Sequence, residues 1–225
     1  MVPQGAEYKA VCRGLSRIST QTPKVLPIPV GIKPLTEYLQ QLPKNEYFLN
    51  ISQPRVLVMG LCGSLTKKYT VGDIVLYQDC IYQGNLQKCE NSLTTQIYSK
   101  LSTQNSALNV VQGLTSDRVI WSAKEKLNLG EISGADVVDM EGFAALNFSN
   151  QNQVAVAMLR VVSDNCEHDI PDLTTAFNSD GLLQPIPLAL GLLRQPVAAT
   201  RLIWGSLRGL KVLEQVTKSL FSGCD

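Results

Sequence analysis

Two short stretches of the sequence place carboxylates directly after an apolar run, and these residues are the best suited to acid–base chemistry. In GADVVDMEGF, Asp139 and Glu141 stand on either side of Met140. In VAVAMLRVVSD, a long apolar run ends in Ser163 and Asp164. A carboxylic acid in a pocket closed to water can donate a proton, while a second, ionised carboxylate can stabilise developing positive charge. The two stretches therefore favour acid–base chemistry at the ends of strands.

The chain contains a single histidine, His168. A Ser-His-Asp hydrolase or a His-rich metal site would have to depend on that one residue. Acid–base chemistry in this chain must therefore use carboxylates. For His168 itself a surface position is favoured, and a place in a lid over a site beyond Asp164 is the alternative.

Composition sets wider limits. The chain has 225 residues, 44% of them hydrophobic, and a net charge of +1. This length favours one large α/β domain. The basic residues are scattered, so no partner nucleic acid is indicated. No apolar run approaches the roughly 20 residues that a membrane-spanning helix needs, and we therefore expect no membrane partner.

The six cysteines are spread without CxxC pairing. This pattern indicates neither zinc spacing nor a disulfide framework, and we interpret the cysteines as reduced thiols of an intracellular protein. The N-terminal residues MVPQGAEYKAV lack the features of a signal peptide. We expect a cytoplasmic location, with a cleaved organellar targeting segment left open.

Strand and helix patterns alternate along the chain. Segments rich in Val, Ile and Leu are predicted strands: Lys24–Val30, Arg55–Met59, Asp73–Tyr82, Leu108–Leu114, Ala135–Val138 and Val154–Val162. Helical patterns occupy Pro34–Gln41, Thr94–Leu101, Glu141–Phe148 and a C-terminal stretch from Thr200 to Phe221. Such alternation predicts a layered α/β fold.

A glycine motif follows the second predicted strand. Gly60, Gly63 and Ser64 belong to the segment GLCGS. Glycines at the carboxyl end of a strand let the backbone approach a ligand closely, and α/β sheets bind ligands at such ends. The motif alone is weak evidence, since a glycine turn is at least as often only a tight connection. It is neither the dinucleotide fingerprint nor a Walker loop.

Four motifs occur in order along the chain: GLCGS, VGDIV, VDMEG and RVVSD. Together they resemble the nucleoside phosphorylase superfamily, in particular its 5'-methylthioadenosine/S-adenosylhomocysteine nucleosidase branch. The resemblance implies a three-layer α/β/α fold with a central mixed sheet. It implies one nucleoside phosphorylase-like domain over residues 1–225, with a shortened first strand, no cofactor, and a homodimer or larger homo-oligomer.

The resemblance also implies roles for the carboxylates. Met140 and Glu141 would hold the ribose of a purine nucleoside, and Asp164, next to Ser163, would donate a proton to N7 of the purine. Glu7 would orient the attacking water. Asp139 would either support Glu141 or cap the following helix, and we favour capping.

The remaining expected contacts involve the purine and the glycine motif. By the same resemblance, backbone contacts to the purine would fall at Val119 and Ile120, with Trp121 as a substitute for the stacking aromatic ring of the nucleosidases. Cys62 and Gly63 would lie against the substrate at the end of their strand. The expected activity is hydrolysis of an adenine nucleoside such as 5'-methylthioadenosine or S-adenosylhomocysteine.

Hydrolysis is favoured over phosphorolysis by the residue types near the site. The resemblance implies that a phosphorylase would have phosphate ligands, one of them an arginine, at the positions of Val58 and Leu61. Glu7 would repel a phosphate dianion but suits a water. Arg13 and Arg17 remain candidate phosphate ligands, although a helix surface is favoured for both. A phosphorylase and a non-catalytic storage relative therefore stay open as alternatives.

Overall fold

The strands and helices of the computed structural model alternate along the chain, and residues 1–18, 22–42, 54–102, 108–173, 176 and 184–222 are described. The strands are β1 Val2–Pro3, β2 Pro27–Ile28, β3 Arg55–Ser64, β4 Ile74–Tyr82, β5 Asn85–Lys88, β6 Leu108–Thr115, β7 Val137–Asp139 and β8 Ala155–Asp164. The helices are α1 Ala6–Leu15, α2 Ile32–Gln41, α3 Asn91–Ser102, α4 Ala123–Ser133, α5 Gly142–Gln151, α6 Pro185–Arg194 and α7 Pro196–Phe221.

The central sheet is mixed, as predicted. Its six strands follow the order β5-β4-β6-β7-β3-β8, and β8 also pairs with β4. The pairs β3–β8, β4–β6 and β6–β7 are parallel, whereas β3–β7, β4–β5 and β4–β8 are antiparallel. Because β8 contacts strands from both ends of this order, the sheet curls back on itself and β8 is buried at its centre.

Helices cover the sheet on two sides, which confirms the expected layered α/β/α architecture. One hydrophobic cluster joins apolar side chains of α2 and α5 to the sheet. A second cluster joins side chains of α1, α3 and α7 to the sheet. This arrangement explains why the central strands read as nearly continuous apolar runs, because both of their faces are covered.

Five of the six predicted strands are present, with ends that differ by a few residues. The prediction of a strand over Lys24–Val30 is wrong, since only Pro27 and Ile28 pair with β1. Proline carries no backbone N–H and cannot donate to a ladder, and this segment contains two prolines, at positions 27 and 29, with a third immediately before it at position 23. Its apolar content therefore does not extend the pairing.

A register shift occurs where β3 and β8 end. The two strands pair residue by residue up to Cys62 opposite Val162, after which Gly63 pairs with Asp164. Ser163 is thus the additional residue of a β-bulge, in which two residues of one strand oppose one of the other. The bulge lies at the edge of the sheet that carries the predicted carboxylates.

Five cysteines lie within the described residues and are free thiols, as predicted: Cys12, Cys62, Cys80, Cys89 and Cys166. Cys224 lies outside the described residues. Among the described helices, none combines the length and the apolar character that crossing a bilayer requires.

Candidate active site

A cavity of about 720 Å³ lies where β3, β7 and β8 end. Its lining includes all nine residues predicted to form the site: Glu7, Cys62, Gly63, Val119, Ile120, Met140, Glu141, Ser163 and Asp164. The structure therefore brings together side chains that are separated by up to about 150 positions in the sequence. Their roles in a reaction stay predictions.

Arg160 lies behind one end of the cavity, where it binds two of the lining carboxylates. Its side chain is completely buried, and Nη2 donates to Oδ2 of Asp139 at 2.9 Å and to Oε2 of Glu141 at 3.4 Å. Burial opposes the charge of the guanidinium, but Asp139 and Glu141 outweigh that effect and raise the pKa of Arg160. Arg160 is therefore a fixed cation beneath two carboxylates.

Glu141 is held from two sides. Besides Arg160, the backbone N–H of Gly31 donates to its Oε1 at 3.0 Å. Burial raises the pKa of Glu141, Arg160 opposes this shift, and Asp139 adds to it. Since Glu141 precedes the first residue of α5 at the end of β7, the strand-to-helix junction fixes it at the cavity wall.

Asp139 fulfils both predicted alternatives. The backbone N–H of Gly142, the first residue of α5, donates to its Oδ1 at 3.0 Å, so Asp139 caps the helix. Oδ1 also accepts a hydrogen bond from the hydroxyl of Thr115 at 2.8 Å. Through Oδ2 the same side chain binds Arg160, which in turn contacts Glu141. Asp139 therefore orders the helix end and the cation together.

Glu7, on α1, adds a third carboxylate to those of Asp139 and Glu141 near Arg160. Its Oε1 accepts a hydrogen bond from the backbone N–H of Leu61 at 2.7 Å. Burial and, after it, the charge of Glu141 raise the pKa of Glu7 to about 7, while the Leu61 hydrogen bond and Arg160 lower it. Glu7 therefore changes its protonation state near neutral pH.

Gly60 leaves room for the contact between α1 and β8. A Cβ at this position would lie 2.3 Å from Nη1 of Arg160 and 2.7 Å from Oε1 of Glu7, distances that real Cβ atoms do not show. The guanidinium and the carboxylate thus meet over the same glycine. Among the described side chains, Nε and Nη1 of Arg160 are buried donors that have no acceptor in the protein.

Asp164 lies at the opposite end of the cavity, beside a buried lysine. Lys126 of α4, whose side chain is 1% exposed, forms an ion pair with Oδ2 of Asp164 and donates to the carbonyl of Asn165 at 3.1 Å. The hydroxyl of Ser163 lies 2.9 Å from Oδ1. A Cβ on Gly63 would lie only 2.8 Å from Oδ2, so a glycine there gives the carboxylate its space.

Sequence reasoning missed Arg160 and Lys126. A signal for Arg160 was available, because a charged residue inside the apolar run AMLRVV must find a buried partner. Lys126 gave no such signal, since it belongs to α4, whose weakly amphipathic sequence did not indicate a helix. Both cations are placed by tertiary packing rather than by a local pattern.

The structure also decides between the alternatives predicted for Arg13, Arg17 and His168. Arg13 and Arg17 are exposed, and both pair with Glu214 of α7 instead of reaching the cavity. His168 is also exposed. Trp121 uses its carbonyl to accept a hydrogen bond from Ile170, and Val119 and Ile120 form this part of the cavity wall.

A family model described as the phosphorylase superfamily matches residues 47–181, more than half of the chain. The chain belongs to the phosphorylase superfamily. The match contains β3, β7 and β8, and with them every residue of the cavity discussed above except Glu7 and Gly31. Among curated proteins, none matches the sequence.

Solved structures share the fold of this phosphorylase superfamily member at low sequence identity. The 5'-methylthioadenosine/S-adenosyl homocysteine nucleosidase of Helicobacter pylori is 14% identical, with a TM-score of 0.68, over 97% of this chain and 94% of that chain. Futalosine hydrolase of Helicobacter pylori is 13% identical, with a TM-score of 0.67, over 97% and 94%. A putative 5'-methylthioadenosine/S-adenosylhomocysteine nucleosidase from Francisella philomiragia is 14% identical, with a TM-score of 0.69, over 97% of this chain and 95% of that chain.

Proposed function

We propose that this protein is a purine nucleosidase, a hydrolase that cleaves the N-glycosidic bond of an adenine nucleoside such as 5'-methylthioadenosine or S-adenosylhomocysteine. One observation carries the proposal: Glu7, Glu141 and Asp164 line a single cavity, with a buried cation behind each end. The nucleosidases and the futalosine hydrolase of similar fold support it, because their names describe nucleoside hydrolysis.

The Asp164 end of the cavity suits the purine. Loss of the base as a neutral species requires a proton on a ring nitrogen, and Asp164 is the carboxyl group placed to donate it to N7. Ser163 and Lys126 hold one oxygen of Asp164 each, so the carboxyl plane is fixed before substrate binds. Val119 and Ile120 provide apolar wall for the base.

The Arg160 end suits the ribose and the water. Glu141 would accept hydrogen bonds from the 2' and 3' hydroxyls, with Met140 beside the sugar. Breaking the glycosidic bond leaves positive charge at the anomeric carbon, which the surrounding carboxylates stabilise. Glu7, which lines the cavity, takes a proton from the attacking water.

The charges at this end favour water over phosphate as the nucleophile. Glu7, Asp139 and Glu141 surround the single guanidinium of Arg160, and two of them already accept its hydrogen bonds. A phosphate dianion would therefore meet an excess of negative charge. Arg13 and Arg17, the other candidate phosphate ligands, are paired with Glu214 on the surface.

The test is adenine release from 5'-methylthioadenosine, S-adenosylhomocysteine and adenosine, measured with and without inorganic phosphate. We expect turnover that does not require phosphate and a free ribosyl product. In Asp164→Asn, kcat should fall by about 100- to 10,000-fold, the usual contribution of a general acid, while the ligand still binds.

Three outcomes would contradict the proposal. Turnover that depends on phosphate and yields a ribosyl phosphate would assign the site to a phosphorylase. Full activity in Asp164→Asn would show that another group protonates the purine. Absence of turnover with all three nucleosides, together with tight binding of adenine, would favour a non-catalytic nucleoside-binding relative.

A further inference from the structure

Helices α6 and α7 expose an unusual amount of apolar surface. Eleven large hydrophobic side chains are exposed among the described residues, and seven of them belong to these two helices, which makes this the main apolar surface of the described protein: Ile186, Leu190, Leu193, Val197, Ile203, Trp204 and Leu207. Leu193 is 78% exposed, Val197 65% and Leu207 63%. We call these seven side chains the apolar face.

From the start of α6 to Leu213 of α7, the charged side chains are all positive. Residues 184–213 contain Arg194, Arg201, Arg208 and Lys211 and no Asp or Glu. All four cationic residues are exposed; Arg194 ends α6, and the other three are interspersed with the apolar face along α7. The guanidinium of Arg208 lies over the ring of Trp204, 5.3 Å from its centroid. Aromatic and aliphatic side chains interleaved with cations are typical of helices that lie in a membrane interface.

A second copy of the chain fits this surface poorly. In a twofold dimer the same patch contacts itself, so Arg201, Arg208 and Lys211 would approach their own counterparts. Interface cores are also depleted of charged residues, whereas here the cations stand among the apolar side chains. An anionic lipid surface, in contrast, attracts the cations and accepts the apolar side chains at once.

We propose that the α6–α7 helices bind the surface of an anionic lipid bilayer, with the apolar face inserted and the four cationic residues at the headgroups. The expectation of no membrane partner was based on the lack of a spanning run, and lying on a surface requires no such run. The opposite sides of these helices form cavity wall through Leu188, Leu202 and Ser206. Membrane binding therefore places the cavity next to the bilayer.

The experiment is cosedimentation of the full-length protein with vesicles of phosphatidylcholine alone or mixed with phosphatidylglycerol. We expect binding to the mixed vesicles only, weakened by salt because the headgroup attraction is screened. Arg201→Ala should weaken binding about fivefold, the effect of one cation near an anionic surface. Leu193→Glu and Leu207→Glu should abolish it.

Ile132→Glu is the matched control, since Ile132 is 76% exposed on α4, away from the apolar face. It should bind as the wild type does. In a Trp121→Phe background, mixed vesicles should shift the emission of Trp204 to shorter wavelength. All of these variants change exposed or half-buried side chains, and thermal unfolding verifies that each one is folded.

Three results would overturn the proposal. The first is wild-type protein that stays in the supernatant with both kinds of vesicle. The second is binding that Leu193→Glu and Leu207→Glu leave intact. The third is a wild-type dimer, measured by light scattering, that Leu207→Glu converts to monomer, because the apolar face would then belong to a second copy.

Discussion

The two ends of the cavity differ in how carboxylates and cations are balanced. At one end, Asp139, Glu141 and Glu7 surround the single cation Arg160, whereas at the other end Asp164 has Lys126 to itself. Burial and, after it, the neighbouring carboxylate of Glu141 disfavour the ionised form of Glu7, and together they raise its pKa to about 7. One end thus holds a carboxyl group whose pKa is raised to about 7, while at the other end a lysine and a serine fix the orientation of a single carboxyl group.

The largest expected effect is a loss of folding stability when Arg160, the cation between Asp139 and Glu141, is removed. Arg160→Met leaves Asp139 and Glu141 buried without their partner. Loss of one member of a buried ion pair typically costs about 3–5 kcal/mol, so urea unfolding should show a decrease of that size in the free energy of unfolding. A decrease below 1 kcal/mol would show that water reaches these carboxylates.

The next effect concerns stability and pH. Folding raises the pKa of Glu7 from 4.5 to about 7, so the folded state binds more protons between these values and the wild type loses stability as pH rises through them. The shift corresponds to roughly 3 kcal/mol. Glu7→Gln should therefore be more stable than the wild type above pH 7 by up to that amount, with no difference below pH 4.

Thermal unfolding at a series of pH values measures this difference. Glu7→Gln should also lose hydrolysis, and the kcat/KM of the wild type should fall below pH 7 as Glu7 becomes protonated. A stability difference that does not depend on pH would contradict the raised pKa of Glu7.

A smaller effect, on kcat, is expected at the end of the cavity where Lys126 pairs with Asp164. Lys126→Met should lower kcat for adenine release about 10- to 100-fold, because Asp164 loses the contact that orients it. A nitrophenyl riboside, whose leaving group needs no proton, should be cleaved as fast as by the wild type. Lys124→Met, an exposed change on the same helix, is the control. Equal losses with both substrates would indicate damage to the whole site.

The smallest effect is expected on the surface. Arg13 and Arg17 are more than half exposed where they pair with Glu214, and such ion pairs contribute little because water and salt screen them. Glu214→Gln should leave the unfolding midpoint and kcat close to those of the wild type. A clear loss of activity would mean that α1, which carries Glu7, depends on this contact.

Buried strands leave local patterns, which were sufficient to predict the layered fold. The nine cavity residues were predicted because four ordered motifs resemble those of a known family. The sequence was insufficient to predict how the buried carboxylates and cations pair with one another. The partner of Asp164 comes from α4, and Arg160 acquires its significance only from carboxylates on β7 and α1. The prediction of a strand over Lys24–Val30 was wrong for a local reason. It considered the hydrophobicity of the segment but not that its prolines lack backbone N–H groups.

The β-bulge at Ser163 has a consequence for how this end of the sheet can change over evolution. Side chains along a strand alternate between its two faces, so inserting or deleting one residue beside the bulge changes which residues of β3 and β8 pair and which face each side chain takes. Point substitutions change the pocket one side chain at a time, whereas a change in strand length at this place shifts several residues at once. We therefore expect insertions and deletions to be tolerated in the surrounding loops and excluded at Cys62–Gly63 of β3 and Val162–Asp164 of β8.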